Sequence, residues 1–283
     1  MPGMLEMVNY KLMRIRQLAT ARHMHWLLIK RLHSEVIVTT QICDGVSIQY
    51  PTQGNVSRDL YLGQFEHDVI DFLSYYLKPG MIVFDVGANI GVYSLLSAKY
   101  VGEHGTVHSF EPTPDIFSRL CANVKLNGFI CIHPNQLAVA EKSGTSTFYL
   151  YKHNGMNSLA RQDWVGEPLG QIEVKTISID EYVCIKGLNK VDLLKIDVEG
   201  AELAVLKGAR SLLCSVNPPI VVCEFCDKTT RNFGYQVSSL RDFLESVGYQ
   251  LFRWNSKSKC LVPEPIRRDY IIYANLVGIR QTD

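Results

Sequence analysis

Short apolar runs alternate with helical patterns through the middle of this chain, and this alternation is the feature that most restricts its fold. The runs that predict strands cover residues 81–85, 106–110, 133–138, 191–196 and 220–225. A helix predicted over residues 66–77 ends at Lys78-Pro79-Gly80, because glycine and proline commonly terminate helices. Strands that alternate with helices favour an α/β fold with a mostly parallel sheet and helices on both faces.

Four further segments depart from this alternation. Residues 145–151 and 171–177 are extended, polar-alternating stretches that interrupt it. The last two predicted strands, 249–254 and 269–275, are expected to pair antiparallel at the end of the sheet. With 283 residues, of which 47% are hydrophobic, the chain is long enough for one large α/β domain and an appendage.

The appendage is predicted at the N-terminus. Residues 4–32 carry six basic side chains against one acid, without proline or glycine, and predict a basic amphipathic helix. This helix is expected to pack on the main domain or to form a homodimer, and contact with an anionic membrane surface is the alternative. Residues 35–41 and 45–51 predict a hairpin joined at Asp44-Gly45. We therefore divide the chain into an N-terminal part, 1–60, and a main domain, 61–283.

Charge and composition narrow the classes of function. A net charge of +1 gives no reason to expect nucleic acid as a partner. The chain has neither an apolar run of about 18 residues nor the apolar core of a signal peptide, which predicts a cytoplasmic protein. Eight cysteines fit reduced thiols in that compartment, and the lone Cys223-x-x-Cys226 pair does not complete a zinc site.

A glycine-bearing loop follows the first predicted parallel strand. Asp85, Gly87 and Gly91 form D-x-G-x-x-x-G, whereas a dinucleotide fingerprint requires G-x-G-x-x-G. Asn89 stands where that fingerprint has its second glycine, and Val92 where it has its third. A ligand without phosphates, such as S-adenosylmethionine, fits this loop better, with the helix start facing the methionine carboxylate. Asp85 would organise the loop or accept a hydrogen bond from the methionine ammonium.

A second acid follows the next strand. Glu111 ends the segment GTVHSFEP, 26 residues after Asp85. A carboxylate at this place can accept both ribose hydroxyls of a nucleoside. After the third strand, residues 137–139, with Ala138 at the centre, are expected to form an apolar wall for adenine.

Three segments resemble the FkbM family of S-adenosylmethionine-dependent methyltransferases. They are PGMIVFDVGANIGVYSLLSAK, VHSFEPTPDIFSRLCANVKLNG and VDLLKIDVEGAELAVLKGA, within residues 60–250. The resemblance implies a class I methyltransferase fold, which is a Rossmann-like, seven-stranded, mostly parallel sheet with an antiparallel last strand. It also implies O-methylation of a hydroxyl on a sugar or natural product. The family's aromatic-Glu pair is matched by Phe65-Glu66, so that Glu66 is expected at the methionine end of the cofactor.

The third of these segments carries the candidate catalytic acids. Asp197 follows the fourth parallel strand, and Glu199 lies in the turn after it. Methyl transfer to an alcohol requires alignment of the two reactants and a group that takes the proton. Asp197 is the first candidate for this base, with Glu199 and His153 next, and Asp197→Asn is expected to cut turnover while sparing cofactor affinity. A metal site formed by Asp197, Glu199 and Glu224 is an alternative that we do not adopt.

Candidate substrate contacts lie in a polar insert, residues 151–162, and on the fifth strand. The family's Gly-x-Ser-Ser-Leu segment is similar to residues 155–159 here, with Asn157 replacing the first serine. Asn157, Ser158 and Glu224 are the candidates, and an ordinary surface turn is the competing interpretation of the insert. Methylation of nucleic acid or peptide, a nicotinamide oxidoreductase and a non-catalytic binding module are the alternative functions. The acidic turn favours an enzyme over a binding module.

Overall fold

The computed structural model describes residues 19–32, 36–52, 55–152, 154–265 and 273–280. The helices are α1 (Ala19–Leu32), α2 (Asn55–Leu62), α3 (His67–Tyr76), α4 (Val92–Val101), α5 (Pro114–Asn127), α6 (Ile179–Lys186), α7 (Glu202–Gly208), α8 (Arg210–Leu213), α9 (Asp227–Arg231) and α10 (Ser238–Ser246). The strands are β1 (Ile37–Cys43), β2 (Val46–Pro51), β3 (Ile82–Val86), β4 (Thr106–Phe110), β5 (Ile132–Asn135), β6 (Ala138–Val139), β7 (Gly144–Leu150), β8 (Gly170–Ile177), β9 (Leu193–Ile196), β10 (Ile220–Cys226), β11 (Tyr249–Asn255), β12 (Cys260–Pro263) and β13 (Tyr273–Arg280).

The central sheet has eight strands in the order β12-β11-β13-β10-β9-β3-β4-β5. The five strands from β10 to β5 are parallel, and β13, β11 and β12 continue the sheet with antiparallel pairings. This confirms the mostly parallel sheet and the antiparallel pairing of the last two predicted strands. The sequence predicted seven strands, and the eighth is the four-residue edge strand β12, which is too short to stand out as a pattern.

The parallel strands are apolar because helices cover both faces of the sheet. Every residue of β9 is buried, and so are four of the five residues of β3. Lys195 is the one residue of β9 that is not apolar, and because its ammonium is fully buried it needs a partner. This exception belongs to the site described below.

The third predicted strand is shorter than expected. β5 ends at Asn135 on the edge of the central sheet. Ala138 and Val139 form β6, which pairs with Thr176 and Ile177 in a separate sheet of order β6-β8-β7. The two polar-alternating segments are the antiparallel strands β7 and β8 of this small sheet, which explains why they interrupt the α/β alternation.

The N-terminal hairpin is formed as predicted, by β1 and β2. It packs on α5, where Asn123 and Asn127 bind the backbone of β2, and its apolar residues share one core with α4 and β3. Of the predicted helix 4–32, residues 19–32 form α1, and residues 4–18 lie outside the described part. Within that described part, no helix is both long enough and apolar enough to span a membrane. All eight cysteines are free thiols.

Candidate functional site

A cavity of about 490 Å³ opens at the carboxyl ends of the parallel strands. It lies where β3 separates β4 from β9, the point at which chain connections leave in opposite directions and where open α/β sheets bind ligands. Nine of the predicted site residues line it: Glu66, Gly87, Asn89, Glu111, Ala138, Asn157, Asp197, Glu199 and Glu224. Asp85, Gly91 and Ser158 do not line the cavity, and His153 lies outside the described residues.

Asp85 precedes the glycine loop and links the end of β3 to α4. Its side chain is fully buried and accepts a hydrogen bond from the Ser94 hydroxyl at 2.5 Å. Gly91, with a φ of +98°, lies where a Cβ would be 2.6 Å from the Leu120 side chain, so it lets the helix pack closely. This geometry favours a role for Asp85 in organising the loop over contact with a ligand.

Gly87 allows the loop to touch the end of β9. Its φ is +83°, and a Cβ there would lie 1.8 Å from the carbonyl oxygen of Asp197. Only glycine satisfies both the left-handed backbone and this close approach. The glycine loop and the acidic turn are therefore in direct backbone contact.

Glu111 is buried at the end of β4 and holds two turns together. One carboxylate oxygen accepts the backbone N–H of Asn89 at 3.1 Å, and the other accepts that of Thr113 at 2.8 Å. Burial raises the pKa of Glu111 to about 7, against the lowering effect of these hydrogen bonds. Each oxygen accepts two hydrogen bonds in favourable geometry, so each retains capacity for a ligand hydroxyl. Ala138 lines the same cavity as Glu111.

Lys195 is a buried lysine that was not among the predicted site residues. It organises the acids near the end of β9. The Lys195 ammonium is 2.7 Å from the Asp197 carboxylate and 4.5 Å from the centre of the Tyr93 ring. Burial alone would lower the pKa of Lys195, but Asp197, Glu66 and Asp85 raise it above its ordinary value. The signal available in the sequence was a lysine within the apolar run LLKI, where a charge requires a nearby counter-ion.

Glu66 joins the same network from the segment before α3. It accepts hydrogen bonds from the Tyr93 hydroxyl and, at 3.1 Å, from the Asn275 side-chain amide. Burial raises the pKa of Glu66, although Lys195 acts in the opposite direction. Tyr93 and Asn275 were not predicted, because nothing local in the sequence links α4 or β13 to residue 66.

The turn after β9 places Glu199 in the cavity lining, and Glu202 is buried behind the turn. Glu199 adopts a left-handed backbone with a φ of +54°, which is a strained conformation for a residue with a side chain. One Glu202 oxygen accepts the N–H groups of Val198 and Gly200 at 3.1 and 3.0 Å. Burial raises the pKa of Glu202 to about 7, and burial followed by the charge of Asp197 raises the pKa of Glu199 well above its ordinary value.

Asn157 and Ser158 have different surroundings. Asn157 lines the cavity, and its side-chain oxygen accepts the N–H of Tyr151 at 2.8 Å. Ser158 is buried, and its hydroxyl donates to the carbonyl of Glu199 at 2.9 Å. The Gln162 amide donates to the same carbonyl at 2.7 Å. The polar insert therefore fixes the strained backbone of Glu199, and it contributes Asn157 to the cavity wall together with Gly155, Met156 and Leu159.

Glu224, on β10, completes the acidic end of the cavity. It is 5% exposed, and its Oε2 atom has no hydrogen-bond partner among the described residues. Burial, followed by the charges of Asp197 and Glu199, raises its pKa well above the ordinary value. In the described parts of the chain, no group of three or more His, Cys, Asp or Glu side chains has the arrangement of a metal site.

The strand order and the position of the cavity define a class I methyltransferase fold. Residues 85–251 match the Methyltransferase FkbM domain, and the chain belongs to this family. The family and the fold class inferred from the sequence are thereby confirmed.

Three known proteins illustrate the similarity. The hexuronic acid methyltransferase AglP of Haloferax volcanii is 34% identical over 55% of this chain and 61% of its own length. The 31-O-demethyl-FK506 methyltransferase FkbM of Streptomyces tacrolimicus is 30% identical over 62% of this chain and 76% of its own. The structure of a methyltransferase FkbM from Methylobacillus flagellatus aligns with a TM-score of 0.46 and 15% identity, over 79% of this chain and 54% of that one. This chain thus spans about three fifths of AglP.

Proposed function

We propose that this protein is an S-adenosylmethionine-dependent O-methyltransferase that acts on a hydroxyl of a sugar or natural-product small molecule. The observation that carries the proposal is one cavity with a ribose-binding type of carboxylate, Glu111, on one wall and an acidic turn, Asp197 and Glu199, on another. Membership of the FkbM family supports it. The names of the two curated relatives, a hexuronic acid methyltransferase and a 31-O-demethyl-FK506 methyltransferase, support this substrate class.

The residues of the cavity fit this cofactor. A volume of about 490 Å³ suits a small ligand. The remaining acceptor capacity of Glu111 suits two ribose hydroxyls, and Leu137, Ala138 and Pro112 form apolar wall for adenine. Glu66, on the same cavity, suits the methionine ammonium because its carboxylate would pair with a cation.

The spacing of the strands sets the direction of the cofactor. Neighbouring strands lie roughly 4.8 Å apart, so the ends of β4 and β9, two spacings apart, are separated by roughly 10 Å. A nucleoside bound by its ribose at Glu111 and extending along this edge would bring the sulfonium group towards Asp197. The reacting methyl group would then face the acids after β9 and β10.

When bound, the cofactor supplies a methyl group activated by the positive sulfur. Glu199 would take the proton of the acceptor hydroxyl, because a carboxyl with a raised pKa is a stronger base once it is ionised. Asp197 is paired with Lys195, so we assign it to positioning rather than to proton transfer. The bonds from Ser158 and Gln162 to the Glu199 carbonyl would keep this base in place.

The acidic lining favours a small hydroxylated substrate over nucleic acid, since phosphates would be repelled by uncompensated carboxylates. Location in the cytoplasm and a homodimer through the N-terminal helix remain predictions. The dimer prediction is best tested by light scattering of the full chain.

The cofactor assignment is tested by isothermal titration with S-adenosylmethionine, S-adenosylhomocysteine and NADH. We expect both adenosyl ligands to bind and NADH not to bind. Glu111→Ala should weaken adenosyl binding on the order of 100-fold, as loss of a charged, two-point contact does. The control is Glu103→Ala, which removes an exposed acid. NADH binding, or adenosyl binding unchanged by Glu111→Ala, would contradict the assignment.

The catalytic roles are separated by comparing Glu199→Gln with Asp197→Asn. Loss of a general base typically costs on the order of 100-fold or more in kcat, which we expect for Glu199→Gln with the cofactor Kd nearly unchanged. Asp197→Asn leaves the Lys195 ammonium buried beside fewer charges, and should lower stability by about 3 kcal/mol. Adding Lys195→Met to Asp197→Asn should recover only part of that stability, because Glu66 and Asp85 then lose the same counter-charge. A larger loss of kcat in Asp197→Asn than in Glu199→Gln, at equal folded fraction, would return the base role to Asp197.

A further inference from the structure

Glu224 is the buried acid to which the proposed reaction gives no task. Glu66 is assigned to the methionine end of the cofactor, and Asp197 is paired with Lys195. Glu199 is assigned to proton transfer. Glu224 remains on the cavity wall beside these groups, and within the part of the chain that the structure describes its Oε2 atom has no partner.

An unpartnered carboxyl oxygen in a 5% exposed side chain is unfavourable, because burial removes its hydration without replacing it. Glu224 pairs in the sheet with Asn275, and the charged groups nearest to it are the acids Asp197, Glu199 and Glu202, with Tyr273 also close. No side chain of the described residues, the Tyr273 hydroxyl included, is bonded to Oε2, so the cavity is the side from which a donor can approach this atom. A donor, and best of all a cationic donor, suits this place.

The charges around the cavity favour a cation. Arg119 is the cationic side chain among the described residues of the lining. It belongs to α5, the helix that follows β4, and the ends of β4 and β10 are three strand spacings, roughly 14 Å, apart. Lys195 is 1% exposed and already faces Asp197. The positive sulfur of a bound cofactor would offset one acid, and an ionised Glu224 would still lack a counter-charge among the described residues.

We propose that the acceptor is an amino sugar or amino alcohol, whose protonated amine binds Oε2 of Glu224 while its hydroxyl faces Glu199. This inference rests on the proposed function and names its substrate class. In the reaction, the S–CH₃ bond breaks with its electron pair left on sulfur, and the O–CH₃ bond forms. The hydroxyl proton passes to Glu199, and the ammonium keeps its protons. A carboxylated acceptor would be repelled by the acids at this end of the cavity.

The test is calorimetric titration of the full chain, saturated with S-adenosylhomocysteine, at pH 7. The probes are methyl glycosides of glucosamine, N-acetylglucosamine, glucose and glucuronic acid, which differ in charge more than in shape. We expect the glucosaminide to bind at least about tenfold tighter than the two neutral glycosides, and the glucuronide weakest. Glu224→Gln should bring the glucosaminide to within about twofold of the glucoside. The exposed control Glu103→Gln should keep the preference.

The outcomes separate this inference from the proposed function. Equal binding of glucosaminide and N-acetylglucosaminide to the unmodified protein would overturn the inference. The test therefore remains decisive even if Glu224→Gln does not fold. A preference that survives in Glu224→Gln, or no binding of any glycoside to the S-adenosylhomocysteine complex, would also overturn it. Failure of S-adenosylhomocysteine itself to bind would instead refute the proposed cofactor.

Discussion

Buried carboxyl groups dominate this site, and their protonation couples folding to pH. Glu111 and Glu202 each have a pKa raised by burial to about 7 from an ordinary value of 4.5. Between these values the folded chain keeps a proton that the unfolded chain has lost, so raising the pH through this window lowers the free energy of unfolding. Glu66, Glu199 and Glu224 shift in the same direction.

The ligand-free protein should therefore lose stability as the pH rises from 5 to 8. The expected loss is about 3 kcal/mol from each of Glu111 and Glu202. Urea denaturation at pH 5 and pH 8 measures this loss of stability. Glu202→Gln should remove the part of the loss that is due to Glu202. Affinity for S-adenosylmethionine should rise over the same range, because ionised Glu111 accepts hydroxyl hydrogen bonds more strongly. Stability that increases towards pH 8 would contradict the burial of these acids.

At the scale of elements, the site depends on the contact between the loop after β3 and the end of β9. The parallel pairing of these strands brings Gly87 against the carbonyl of Asp197, so one backbone positions both the cofactor loop and the acidic turn. A small displacement of the loop would thus move both walls of the cavity.

Gly87→Ala tests this contact. The added Cβ would meet a backbone oxygen at 1.8 Å, which no side-chain rotation relieves. Gly128→Ala is the matched control, because Gly128 also has a positive φ, +67°, in the ordinary left-handed region, but faces open space. We expect the control to cost about 1 kcal/mol of backbone strain, and Gly87→Ala to cost several times more and to abolish cofactor binding. Similar urea midpoints for the two variants would contradict the proposed role of the contact.

At the scale of the whole molecule, the N-terminal hairpin is joined to the cofactor loop. The Asn123 amide donates to the carbonyls of Gln49 on β2 and Ile90 in the loop, and its oxygen accepts the N–H of Gln49 at 2.8 Å. Tyr50 and Pro51 of the same hairpin line the cavity. The segment before residue 61 thus contributes to the site as well as to the core.

Asn123→Ala should weaken both the packing of the hairpin and the structure of the cofactor loop, because Asn123 bonds to both. It leaves three backbone groups without their side-chain partner, one buried and two partly buried, at a cost of about 3 kcal/mol. It should weaken S-adenosylmethionine binding because the Ile90 carbonyl loses its partner. Asn127→Ala is the control, since Asn127 binds Ser47 and the carbonyl of Asn123 without touching the loop. Calorimetric titration of both variants measures the difference. Equal cofactor affinity in the two would show that the hairpin and the loop are independent.

The sequence determined the parts of this protein that arise from local patterns. Apolar runs alternating with helices defined the parallel sheet, because strands buried on both faces must be apolar throughout. The separate predictions of Gly87, Glu111 and Asp197 at strand ends followed from the rule that parallel strands present these ends at one edge. The eighth strand and the small sheet were missed, since short or polar strands carry weak periodicity.

Tertiary structure alone decided how the acids are paired and which of them face the cavity. Asp85 and Ser158 carry the same chemistry as residues of the lining, yet both are turned into the protein by partners on other elements. The bond from Asn275 to Glu66 depends on packing between β13 and the segment before α3, 209 residues apart in the chain. A side chain's charge and hydrogen-bond partners are properties of its three-dimensional surroundings, and local sequence does not encode contacts over such separations.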